Sequence, residues 1–148
     1  MRFFYVFMIL GLLLSACDSP LNHRVEEDGK GGQGSMALLQ FKQSQMTVKY
    51  EWLQGPFSNV NKPSTLMVYI YKDGTLTSLG ADQQINFFAT MPSMGHPLDQ
   101  PGYFEELAAG VYLNKDITFN MSEEWEMELW LQNMNGDIQE KVTWLEHL

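Results

Sequence analysis

From Met46 to the C-terminus, apolar and polar residues alternate with a period of two in several separate runs. Val48, Tyr50 and Trp52 alternate with Lys49 and Glu51, and Leu66, Val68 and Ile70 alternate with Met67, Tyr69 and Tyr71. Ile85, Phe87 and Ala89 keep the same period. Trp125, Met127, Leu129 and Leu131 alternate with Glu124, Glu126 and Glu128. Successive side chains of a strand point to opposite faces, so each run predicts a strand with one dry face and one wet face. On this reading the three glutamates form a solvated sheet face. Val111 to Phe119 holds two shorter runs, and Val142 and Trp144 close the chain. Lys72-Asp73-Gly74 and Asn135-Gly136-Asp137 carry the chemistry of hairpin turns. Only Phe104 to Ala109 invites a helical turn. Short strands separated by turn signals predict an all-β fold, an immunoglobulin-like antiparallel β-sandwich of about seven strands. No internal repeat is visible.

The N-terminal segment follows a different pattern. Arg2 precedes an almost wholly apolar run from Phe3 to Leu14, which ends at Leu14-Ser15-Ala16-Cys17. A dozen apolar residues cannot span a hydrocarbon core of roughly 30 Å as a helix, but they suit the h-region of a secretory signal. Small residues directly before Cys17, the only cysteine of the chain, resemble the lipobox of bacterial lipoproteins. That resemblance implies cleavage after residue 16, palmitate-type acylation of Cys17 and attachment to the lipid bilayer of the cell envelope, facing the periplasm or the cell exterior. Asp18 resembles the signal that retains Gram-negative lipoproteins in the inner membrane. Residues 18–35 contain Pro20, four glycines and mixed charge with almost nothing to bury, so residues 17–35 read as a lipidated cysteine and flexible tether. Residues 36–148 remain as the folded unit.

Charge narrows the function classes. Cleavage leaves 132 residues, with eight basic against 18 acidic side chains. Phosphate contacts need Lys and Arg, so such a chain is a poor nucleic-acid binder. With Cys17 acylated no thiol remains, which excludes a disulfide, a catalytic cysteine and a thiolate metal site. Glu105-Glu106 and Glu123-Glu124 are adjacent pairs, whereas glycosidic chemistry needs carboxyls about 5–9 Å apart on opposite sides of a bond. There is no Gly-rich phosphate loop, nucleophile elbow or His-rich zinc spacing. His23 falls in the tether and His147 is next to last. Nothing here predicts an enzyme.

One stretch carries chemistry. Met91-Pro92-Ser93-Met94-Gly95-His96-Pro97 places two thioethers and an imidazole within six residues. Pro92 suits the second position of a β-turn, which brings Met91 and Met94 together, and Pro97 holds His96 extended. Soft thioethers with imidazole select Cu(I) over harder divalent ions, making Met91, Met94 and His96 the candidate ligands, with Met121 a possible fourth. Met91 also continues the phase of Ile85, Phe87 and Ala89, so the pattern alone makes it core filler.

The Met-Pro-x-Met-x-His string resembles the YtkA-like family of small exported β-sandwiches, related to FixH-like domains. In that family it precedes a Gly-x-Tyr element, a strand, a tight turn and a Trp-initiated strand. The matching pieces are Pro101-Gly102-Tyr103 or Gly110-Val111-Tyr112, then Ile117-Thr118-Phe119-Asn120-Met121, then Trp125-Glu126-Met127-Glu128-Leu129. Ser122-Glu123-Glu124 departs from the family, which usually has a glycine in that turn. The resemblance implies copper handling in the envelope, with copper-transport or oxidase-assembly proteins as partners. The alternative is a metal-free immunoglobulin-like module that docks an envelope complex through Tyr69, Tyr71, Phe88 and Trp130.

Overall fold

The structure is a computed structural model that describes residues 38–148. The expected signal segment, Cys17, Asp18, the expected tether and the first residues of the expected folded unit lie outside the described residues. The described chain is all-β. Its strands are β1 (Leu39–Phe41), β2 (Met46–Gln54), β3 (Ser64–Lys72), β4 (Thr75–Leu76), β5 (Gln83–Met91), β6 (His96–Pro97), β7 (Glu105–Ala108), β8 (Val111–Ile117), β9 (Glu124–Asn133) and β10 (Ile138–His147). One sheet runs β1-β2-β3-β8-β7 with β4 against β3, and the other runs β10-β9-β5-β6. Every pairing is antiparallel. The sandwich expected from the alternating runs is therefore present. Its strand number exceeds seven through short pieces (β1, β4, β6 and β7) that periodicity cannot show.

The dry faces meet as expected. Val48, Leu66, Val68 and Ile70 from the first sheet and Leu129 and Leu131 from the second are all fully buried. Aromatic rings fill the gap between the sheets: Phe87 meets Phe119 and Trp52 edge-on, Phe119 meets Trp125, and Tyr50 stacks on Trp144 at 4.4 Å. Such ring pairs contribute about 0.5–1.5 kcal/mol beyond the area they bury.

Both predicted turns form. Asp73 and Gly74 each take positive φ (51° and 77°) in the two-residue connection of β3 to β4, the backbone a hairpin of that length demands. Between β9 and β10, the Asn133 side chain accepts from the N–H groups of Asn135 and Asp137.

Three expectations are corrected. Glu105–Ala108 is strand β7 rather than a helical turn, because β8 offers it an edge and cross-strand bonding outweighs the local preference of an exposed Glu-Glu-Leu-Ala stretch. The two short runs of Val111 to Phe119 are one strand to Ile117, followed by a bridge between Thr118 and Gln100. The glutamate face is not uniformly wet: Glu128 is buried to 7% exposure on the outer side of its sheet. There it accepts from the Trp130 indole N–H and from Lys141 Nζ at 2.9 Å, and the stems of those donors cover it.

Leu98 donates its N–H to Ala89 of the second sheet, and Gln100 accepts from the Thr118 N–H beside the first. Two positions two residues apart thus tie both sheets together along one side.

Candidate functional site

Several connections gather at the end of the sandwich where β5 stops. The register places Thr90 opposite Glu126, so β9 begins there, and His147 opposite Glu124, so β10 ends there. The Phe87–Phe119 and Phe119–Trp125 contacts bring the exit of β8 to the same end. Ser64 opposite Ile117 adds the start of β3.

The Met-Pro segment is the β5–β6 hairpin at this end. The Met91 carbonyl accepts from the Met94 N–H at 3.2 Å and from the Gly95 N–H at 2.8 Å. Pro92 therefore occupies the second position of a turn whose first and fourth residues are the two methionines, with its ring φ already suited to that position. Gly95 takes φ +62° and has open space where a Cβ would stand, so its conformation alone calls for glycine. The chain then re-enters the sheet with His96 directly opposite Met91 and Pro97 opposite Thr90. Directly opposed residues of an antiparallel pair share a face with Cβ atoms roughly 4.5–5.5 Å apart.

The backbone thus gathers Met91, Met94 and His96 into one tight loop, but solvent reaches them differently. Met91 is fully buried, as its phase with Ile85, Phe87 and Ala89 suggested, while Met94 is 56% exposed and His96 is exposed. Met121 is half-buried against the core, and its carbonyl accepts from the Trp125 indole at 3.2 Å. The turn before Trp125, Ser122-Glu123-Glu124, is tied to the last described residue: the Ser122 hydroxyl donates to the Leu148 carbonyl, and the Leu148 N–H donates to the Glu123 carbonyl.

Among the described residues no group of three or more His, Cys, Asp or Glu could hold a metal ion. The hairpin brings two soft thioether donors and one imidazole into a single loop. The four aromatics named for a docking surface do not share one. Lys49 and Val111, the partners of Tyr69, place that tyrosine on the outer side of the first sheet together with Tyr71, whereas Phe88 and Trp130 stack at 4.8 Å on the outer side of the second. The two pairs look out in opposite directions.

Comparison of this chain with protein-family models, curated proteins and solved structures gives no match.

Proposed function

We propose that the chain is a lipid-anchored envelope protein whose β-sandwich binds Cu(I) at the β5–β6 hairpin and passes it on. The ion is cargo, and the role is capture and exchange rather than catalysis. One observation carries the reading: a turn closed on the Met91 carbonyl brings an exposed thioether (Met94), an exposed imidazole (His96) and a buried thioether (Met91) into one tight loop. Cu(I) accepts soft ligands at low coordination number, so the two exposed groups suffice for capture, and the Met91 sulfur completes the set. Exposed, labile thioethers favour exchange. Membrane attachment through Cys17 would hold the site near copper-transport or oxidase-assembly partners, with the inner membrane favoured by Asp18.

The test is Cu(I) titration of the mature, non-lipidated chain (Cys17→Ser) under reducing conditions, with a competing Cu(I) chelator. We expect one ion per chain, loss of uptake in the Met94→Ala/His96→Ala double variant, and weakened but retained uptake in Met91→Leu. Undiminished uptake by the double variant overturns the site.

A further inference from the structure

We propose that the open side of β5 is a docking edge for an extended, basic peptide segment of a partner, which adds a strand to the second sheet. In an antiparallel ladder the backbone groups of alternate residues point to opposite sides of the strand. The Met134 N–H donates to the Asp82 carbonyl, so even-numbered positions of this strand face β9. The carbonyls of Ala89 and Met91 accept from Leu98, Met94 and Gly95, so odd-numbered positions face the other way. β6 covers only Thr90 and Met91 on that other side. The Gln83 N–H is taken by the Gly80 carbonyl. The Gln83 carbonyl and the N–H and carbonyl of both Ile85 and Phe87 then face a side where no described strand lies. Among the described residues none of these groups has a hydrogen-bond partner. A row of free donors and acceptors at strand spacing is a template for another extended chain.

A cleft of about 440 Å³ lies beside this row, between the sheets. Leu79, Ile85, Phe104 and Met134 give it apolar lining, and Tyr112 and Glu106 stand on the β7–β8 side. The Tyr103 ring at its rim is 69% exposed. A strand laid along β5 turns every second side chain into this cleft and the others to solvent. Glu106 sets the charge preference. Its carboxylate accepts from the Tyr112 hydroxyl at 3.2 Å and the Gly110 N–H at 3.3 Å, and no described Lys or Arg pairs with it. The chain as a whole carries −9. Both features draw a lysine- or arginine-bearing segment. They also disfavour a second copy of this chain, which would bring a like-charged body and a second Glu106 to the same edge.

The test pans random peptides of about 12 residues, long enough for one ordinary strand, against the mature, non-lipidated chain, and follows amide hydrogen exchange by NMR. In the free chain the Ile85 and Phe87 amides are expected to exchange freely while Asn86 and Phe88, bonded to β9, are protected. Enriched peptides are expected to alternate apolar residues with Lys or Arg and to slow Ile85 and Phe87 exchange by about tenfold or more at saturation. Glu106→Lys, a change at an exposed site, is expected to weaken binding by about tenfold. The proposal is overturned by any of four results: no enriched peptide, protection of Ile85 and Phe87 already present in the free chain, bound peptide that leaves those amides unaffected, or affinity unchanged by Glu106→Lys.

Discussion

Met91 and His96 are a cross-strand pair at the mouth of the β5–β6 hairpin, and one is fully buried while the other is exposed. The core therefore ends between them, with Met91 as its last side chain on β5 and His96 beyond it. The same border separates the two thioethers of the turn.

That border predicts unequal stability losses for chemically identical truncations. Met91→Ala leaves a cavity under the hairpin and should cost about 2–5 kcal/mol. Met94→Ala removes a side chain that is 56% exposed and should stay within about 0.5 kcal/mol. Urea denaturation of both variants checks this, and equal losses would contradict the burial.

Gly110 and Gly136 both have positive φ (71° and 87°), but only Gly110 is enclosed. A Cβ there would lie 2.6 Å from the Ile70 carbonyl oxygen and 2.6 Å from the Thr77 nitrogen, whereas a Cβ at Gly136 meets nothing within 4 Å. Gly136→Ala should cost about 1 kcal/mol, the conformational term alone. Gly110→Ala should cost about 3 kcal/mol or more, because backbone must move. Thermal melts of the pair separate the steric part from the conformational part.

Glu140 links the β1–β2 turn to β10. Burial works to raise its carboxyl pKa, but the hydrogen bonds from the Ser44 hydroxyl and from the Gln43 and Ser44 N–H groups outweigh it and hold the group below its ordinary 4.5. A depressed folded pKa contributes stability that is present above the unfolded value and lost as pH falls through the folded one. Glu140→Gln should therefore cost about 1 kcal/mol at neutral pH. It should also flatten the fall in stability below pH 4.5, as read from urea midpoints across the acid range.

Tyr50 acts at the other end of the pH scale. Burial first, then the charge of Glu146 and the hydrogen bond to it at 3.2 Å, push its phenol well above 10.0. A raised folded pKa gives stability that is complete below the unfolded value and is lost as pH rises toward the folded one. Tyrosinate absorbance should accordingly show a fraction that titrates late, together with alkaline unfolding. Tyr50→Phe should diminish that fraction without abolishing it, because burial also raises the phenols of Tyr69 and Tyr112.

The strands were legible where one face is buried, because burial forces the period of two: β2, β3, β5 and β9 all read correctly from their apolar positions. β7 was not, since all four of its residues are exposed and its existence depends on the neighbouring β8. The Met91–Met94 turn was legible from Pro92, a local signal. Which sulfur faces solvent depends on where the facing sheet ends, a tertiary fact that only the phase of β5 hinted at. Glu128 misled for a related reason. Its place in the alternation is correct, but Trp130 and Lys141 fold over it. Glu106 and the β5 edge gave no sequence signal, because an unpaired strand side is defined by what fails to arrive beside it.

The short stitch from Leu98 to Gln100 has a mechanical consequence. With one backbone bond to each layer, it acts as a fixed spine on that flank, so the layers cannot part there like the covers of a book without rupturing main-chain bonds. The same two bonds oppose widening of the gap farther along that flank. Heating should therefore release both layers in a single cooperative step, recorded as one calorimetric peak, and whatever enters the gap meets a slot that resists being forced wider.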